Sequence, residues 1–305
     1  MKKLISLLLV SIILALALVV PSFAVTPVDV ERESSLELQY KAGDELFKGL
    51  EIKTYKIANA FADGTFELCG AFEGYPISIY GIESQAEWKT ITATLAAYCA
   101  ADNVQADLEG VTDENGFVKF ENIRPGLYLT LSVKNDNDGD VTIFENFITV
   151  VPQLSDEGDH NYNVTAYPKY ERFIPEDKDI EYKVVKQWKD NGASQRPKAV
   201  DVEILCEGET VETVKLSAEN DWSYTWIAPD DGSNWQVVER NVAEGYTVTV
   251  SEKVSTFVVT NSLDGDVPPP PQTGDTFVIW HYVIPMVLSG LVVITVALLR
   301  GRKES

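Results

Sequence analysis

Short alternating runs of apolar and polar residues fill most of this chain, and a long unbroken apolar run lies at each end. From residue 26 to about 170 the alternation predicts strands at Leu36–Tyr40, Leu50–Ala58 and Thr65–Leu68, each short and rich in β-formers. Ser84-Gln85-Ala86-Glu87 breaks that pattern with a capping box, in which Ser and Glu satisfy each other's free amides. Trp88, Ile91, Leu95, Tyr98 and Cys99 follow at helical spacing and predict a packing helix to about Ala101. Asn115-Gly116 then marks a hairpin turn, with Phe117, Val118 and Phe120 on the outgoing strand. Further strands at Leu127–Val133, Val141–Val151 and Tyr162–Tyr167 complete a β-sandwich.

Glu171 to Ile180 is polar, contains Pro175 and reads as a linker. Beyond it, seven strands are predicted within 181–262: Tyr182–Trp188, Ala199–Cys206, Glu209–Leu216, Trp222–Ile227, Trp235–Glu239, Tyr246–Ser251 and Thr256–Thr260. Asn191-Gly192, Glu207-Gly208 and Asp231-Gly232 supply turns between them. The expected fold is mainly β, with two tandem Ig-like β-sandwich domains at 25–170 and 181–262, the first carrying one helix.

The terminal runs add an export route. Lys2-Lys3, an apolar core from Leu4 to Val20 and Ser22-Phe23-Ala24 have the three regions of a signal peptide over residues 1–24, with cleavage expected after Ala24. Near the other end, residues 276–299 are apolar and long enough to cross a bilayer core of roughly 30 Å as a transmembrane helix. The basic tail 300–305, with Arg300, Arg302 and Lys303, would stay cytoplasmic. Taken alone, that run supports a simple membrane anchor.

Composition narrows the function classes. The formal net charge is −22, and removing both basic ends leaves the remainder more negative still. Such a surface repels phosphate backbones, so nucleic-acid binding is not expected. The chain has three cysteines, Cys69, Cys99 and Cys206, without a CxxC pair, and between the terminal segments its one histidine is His160. A zinc site therefore has no ligand set, and neither metal nor cofactor is expected. Cys69 and Cys99 are either a disulfide or, like Cys206, small buried apolar residues. Asp136-Asn137-Asp138-Gly139-Asp140 suggests calcium, but an EF-type loop counted from Asp136 puts Val141 at the glycine position and Phe147 at the bidentate one. An acidic hairpin loop is the better reading.

Period-two reading of three strands in 181–262 brings candidate chemistry forward. Val184, Lys186 and Trp188 share one face, Val237 and Glu239 another, and Phe257, Val259 and Asn261 a third. Each face is bulky and apolar except for one polar group: an amine, a carboxyl and an amide. Isolated in a core each is costly, but brought together they can react. Burial favours the neutral amine and the protonated acid. Lys186 then attacks the Asn261 side-chain carbonyl, Glu239 polarises that carbonyl and shuttles protons, and ammonia leaves. The product is a Lys–Asn isopeptide tying the first strand to the last. Lys183 points to the opposite face and is the poorer nucleophile. The first domain has no such set, because Leu36–Tyr40 lacks a lysine and Leu127–Val133 lacks an acid, so no isopeptide is expected there.

Three stretches also carry family resemblances. Val184-Val185-Lys186-Gln187-Trp188, Asn191-Gly192, Arg196-Pro197, Trp222-Ser223-Tyr224, Val238-Glu239, Glu244-Gly245-Tyr246 and Thr260-Asn261 together resemble a Cna B-type domain over 181–262. That resemblance implies an internal bond with Lys186 and Asn261 as the linked pair and Glu239 as the promoting acid. Pro271-Gln272-Thr273-Gly274, within the Pro-rich stretch 263–275 and followed by the apolar run and basic tail, resembles the cell-wall sorting signal of Gram-positive surface proteins. It implies cleavage by a sortase between Thr273 and Gly274 and transfer of the Thr273 carbonyl to an amine. The family usually has Leu where this chain has Pro270. Val164-Thr165-Ala166-Tyr167-Pro168-Lys169 resembles the pilin motif of sortase-assembled pili, which implies that Lys169 is the intersubunit lysine. His160, Ala166 and Tyr170 stand where that family usually has Trp, Val and Asn.

The resemblances imply a cell-wall-anchored surface protein built as a backbone-type pilus subunit, held only transiently in the membrane before sorting. Its implied partners are a sortase and either peptidoglycan or neighbouring pilin subunits. The alternatives are a monomeric adhesin with a host surface ligand, or a basal or accessory pilin. Turnover of an external substrate has no candidate machinery, so the chain is not expected to be an enzyme beyond this single self-modification.

Overall fold

A computed structural model describes residues 26–263, except 138, 156, 157, 177, 194 and 195. The signal peptide, the sorting motif around Thr273 and the apolar run 276–299 lie outside the described residues. Among the described residues, no helix is long and apolar enough to cross a membrane.

The protein is mainly β with one long helix. In the N-terminal half, Glu51–Ala60 is the centre of a five-stranded sheet in the order Phe147–Val151, Gly126–Thr130, Glu51–Ala60, Phe66–Leu68, with Leu108–Val111 also paired to Glu51–Ala60. Gly126–Thr130 is buried throughout, as a strand covered on both faces must be. Its residues alternate between two cores. Tyr128 faces a core with Leu36, Leu38 and Val164 from the three-stranded sheet Asn163–Ala166, Ser34–Gln39, Phe117–Ile123. Leu127 and Leu129 face the other way, into a core that contains the helix.

Two predicted strands are each cut in two. Leu127–Val133 becomes Gly126–Thr130 and Val133–Asn137, and Val141–Val151 becomes Asp140–Phe144 and Phe147–Val151. The cause is a corner: Phe144 pairs with Val133 in one sheet while Phe147 pairs with Thr130 in another. At the corner the amide of Ser132 donates to Asn146 Oδ1 at 2.7 Å, and that of Glu145 to the Lys169 carbonyl at 2.9 Å. The acidic stretch from Asp136 is a hairpin, with Asp140 paired to Asn137 and the Gly139 amide donating to Asp136 Oδ1. Tyr170–Phe173 pairs with Asp140–Phe144, so strand pairing extends into the stretch that reads as a linker.

The helix spans Gln85–Ala101 and begins with the expected capping box, Ser84 Oγ accepting from the Glu87 amide. Ile91, Leu95, Tyr98 and Cys99 are buried, but so are Thr92, Thr94, Ala96 and Ala97. A helix buried on that many sides packs against more than one layer.

The C-terminal half is a two-sheet sandwich. One sheet has the order Ser223–Pro229, Asp179–Lys189, Thr256–Leu263, Tyr246–Lys253; the other has Glu209–Ser217, Ala199–Cys206, Trp235–Arg240. Glu207 and Gly208 both have positive φ, the geometry of a two-residue turn that joins Cys206 directly to its partner Glu209. The first and last strands lie side by side and parallel, Val184 opposite Phe257 and Trp188 opposite Asn261. The helix packs against Tyr246–Lys253 and Trp235–Arg240, and the apolar core runs without a break from Ile57 and Leu127 through Leu95 to Val237 and Val259.

Candidate functional site

Three strands of the C-terminal sandwich meet at one buried point. Lys186 lies on the first strand, Asn261 on the last, and Glu239 on the edge strand of the opposite sheet. Their exposures are 5%, 0% and 1%, so all three polar side chains sit inside the apolar core. Val184, Val237, Phe257 and Val259 are buried with them, as the period-two reading requires.

The contacts converge on Glu239. Asn261 Nδ2 donates to Glu239 Oε1 at 2.7 Å, and Lys186 Nζ is 3.5 Å from Glu239 Oε2. Lys186 Nζ also donates to the Gln187 and Val259 carbonyls at 2.9 and 3.3 Å. Its remaining side is covered by the Trp188 ring, 4.1 Å from Nζ to centroid. Arg196 lies over the same ring at 5.5 Å and is held by Asp190, which also accepts from the Tyr246 hydroxyl at 3.0 Å. Those hydrogen bonds, that from Arg196 above all, hold the Asp190 carboxyl well below the usual carboxylate range.

Electrostatics favour the reactive forms. Burial lowers the Lys186 amine to about 8, against a smaller opposing pull from Glu239. Burial likewise raises Glu239 above its ordinary value, with Lys186 opposing the shift. Glu239 Oε2 and Asn261 Oδ1 are both buried without a hydrogen-bond partner. Orphaned polar atoms of this kind are costly in a finished core and are expected where chemistry is stored. A half-turn of the amide about its Cβ–Cγ bond brings Oδ1 to Glu239, where a protonated carboxyl donates to it and polarises the carbonyl.

The profile of the Cna protein B-type domain family matches residues 182–262. This segment is a Cna B-type domain. No curated protein matches the chain. Among solved structures, one B repeat unit of the collagen binding surface protein of Staphylococcus aureus overlaps 76% of this chain and 98% of its own, at 15% identity and a TM-score of 0.27. The full-length major pilin SpaD from Corynebacterium diphtheriae overlaps 78% of this chain and 66% of its own, at 18% identity and a TM-score of 0.30. A point mutant of the shaft pilin SpaA from Lactobacillus rhamnosus GG overlaps 77% of this chain and 100% of its own, at 14% identity and a TM-score of 0.28.

Lys169 is not part of the Cna B-type domain. It is exposed in the short connection between Asn163–Ala166 and Tyr170–Phe173, with Pro168 buried beside it and Tyr167 60% exposed. Its carbonyl is pinned by the Glu145 amide, which leaves the side chain at the lip of an open groove of ≈ 530 Å³ lined by Lys41, Glu145, Tyr167 and Tyr170. Cys69, Cys99 and Cys206 are all free, so the Cys69–Cys99 pair is not bridged, and burial pushes the Cys99 thiol up to about 12. Among the described residues no acidic, histidine and cysteine side chains cluster to hold a metal.

Sequence reasoning missed the residues that tie the helix to the Cna B-type domain. The Tyr98 hydroxyl donates to the Glu239 carbonyl at 2.6 Å, and the Val250 amide donates to Thr94 Oγ1 at 2.8 Å. Buried threonines on an Ala-rich helix were the available signal; their spacing alone names no partner.

Proposed function

We propose that the chain is a sortase-anchored surface protein of a Gram-positive bacterium that serves as a backbone-type pilus subunit, with its Cna B-type domain locked by a Lys186–Asn261 isopeptide. The observation that carries this reading is the sealed contact of amine, carboxyl and amide across the domain's first and last strands.

The chemistry follows from the contacts. Neutral Lys186 Nζ attacks Asn261 Cγ while protonated Glu239 donates to Oδ1. Glu239 then moves a proton from Nζ to Nδ2; the Cγ–Nδ2 bond breaks, the Nζ–Cγ bond remains, and ammonia departs. The folded core supplies proximity, so no external group is needed. The cross-link joins parallel terminal strands, and a pulling force entering at one end of the domain and leaving at the other passes through it.

Lys169 is the proposed acceptor amine for the Thr273 carbonyl of a neighbouring subunit. Its exposure on a rigid strand connection, with Pro168 fixing the backbone, supports that role. Gly274 would leave with the membrane segment, and the final subunit would be joined to peptidoglycan. The test is a denaturing gel of cell-wall extracts. A high-mass ladder lost in Lys169→Ala supports a polymerised shaft; a single band in both strains contradicts it and favours a monomeric adhesin or a basal subunit.

A further inference from the structure

The Glu239 strand, Trp235–Arg240, is an edge strand, paired only with Ala199–Cys206. The Tyr246–Lys253 strand is the edge of the other sheet. An open edge leaves backbone groups to water and lets the strand shift. Here both edges are closed by the N-terminal half of the chain. The Val248 amide donates to the Pro76 carbonyl at 2.7 Å and the Val250 amide to Thr94 Oγ1 at 2.8 Å. On the other edge the buried Tyr98 hydroxyl donates to the Glu239 carbonyl at 2.6 Å. The next residue, Arg240, reaches Asp102 at the C-cap of the same helix at 2.7 Å and Glu203 at 2.8 Å.

The acid of the triad is therefore held from behind. Its carboxyl points into the core toward Lys186 and Asn261, while its carbonyl and its neighbour are gripped by one end of the Gln85–Ala101 helix. We propose that Tyr98 is a positioning residue for the Lys186–Asn261 reaction, its hydroxyl fixing the Glu239 backbone so that the carboxyl meets both reacting groups. Docking of the helix thus completes the reactive site of a domain to which the helix does not belong. The inference rests on the isopeptide reading and deepens it: Tyr98 touches neither reacting atom and acts through Glu239.

The helix also seals the site. With Tyr98 and the adjoining apolar residues in place, the titratable groups facing the Glu239 strand are Lys186 from the first strand, Glu203 from the paired strand, and Tyr98 and Asp102 from the helix, with Arg240 between the last three. Loosening the strand admits water to the carboxyl, which returns its titration toward the ordinary range and narrows the pH interval over which the acid is protonated.

The experiment uses the full chain, recovered unreacted in denaturant and diluted into native buffer, with loss of ammonia followed by intact mass and folding by near-ultraviolet circular dichroism. Tyr98→Phe keeps the ring and removes one hydrogen bond; the expected result is bond formation slowed by about fivefold, the cost of one ordinary hydrogen bond. The limb of its rate–pH profile set by Glu239 is expected to move to lower pH. Thr94→Val removes a docking contact on the strand that carries no triad residue and is expected to leave rate and profile unchanged once the chain is folded. Should Tyr98→Phe not fold, Asp102→Asn decides, since it frees Arg240 on the same strand and is expected to slow the reaction as well. Wild-type rates and profiles in Tyr98→Phe and Asp102→Asn overturn the positioning role. Absence of mass loss in the wild-type chain is a different result: it removes the isopeptide reading, and this inference with it.

Discussion

Lys186 and Asn261 lie on neighbouring parallel strands, two positions apart in register, because Lys186 is opposite Val259 and Asn261 is opposite Trp188. That diagonal places both side chains on the core face, where Glu239 contacts both of them. A parallel pairing of the first and last strands has no turn to hold it, and the proposed Lys186–Asn261 bond would take the place of one.

The acid should be indispensable to the bond and important to the unreacted fold. Glu239→Ala is expected to abolish ammonia loss and, by leaving a buried amine unpaired, to destabilise the chain by about 3–5 kcal/mol. Glu239→Gln, which preserves shape, should also fail to react but lose less stability. Intact mass and urea unfolding check both.

Closing the segment from Lys186 to Asn261 should stabilise the domain by about 4 kcal/mol if the cross-link restricts the unfolded chain as a disulfide of similar span does. Lys186→Ala removes the amine and the bond together. It should melt at lower temperature, and protease should cut the Cna B-type domain under conditions that leave the wild type whole.

Asn261→Ala cannot react and retains both titrating groups, so its stability should follow their shifts. The amine is depressed from 10.5 to about 8, so the unfolded chain binds more protons between those values and stability should rise as pH climbs through them. Glu239 is raised, so the folded chain binds more protons just above the ordinary value of 4.5 and stability should fall as pH climbs from there. Urea midpoints measured from pH 4 to pH 11 check both slopes.

The continuous core predicts that the two halves unfold together. Leu95 is fully buried within it, and Leu95→Ala should cost about 2–5 kcal/mol. Calorimetry should give one transition for the wild type, shifted as a whole in the variant; two transitions with only one shifted would contradict a shared core.

Period two placed Lys186, Glu239 and Asn261 on inward faces because alternation survives in a half-buried strand whatever its partner. The capping box at Ser84 was legible for a similar reason, being entirely local. The docked face of the helix was not. Thr92 and Thr94 satisfy their hydroxyls on the carbonyls four residues back, at 2.7 Å each, so they can be buried without the apolar signature that periodicity detects. The corner at Glu145-Asn146 left only a weak local trace, two poor strand formers inside an otherwise strand-like run from Val141 to Val151, and it is the long-range pairing with Val133 and Thr130 that divides the run.

Whether Lys186 and Asn261 are joined can be read from the intact mass of the purified chain. The expected mass is about 17 Da below that of the unreacted sequence, the ammonia released by the reaction, together with a peptide joining the Lys186 and Asn261 strands in a digest. An unshifted mass, or a shift that persists in Lys186→Ala, would contradict it.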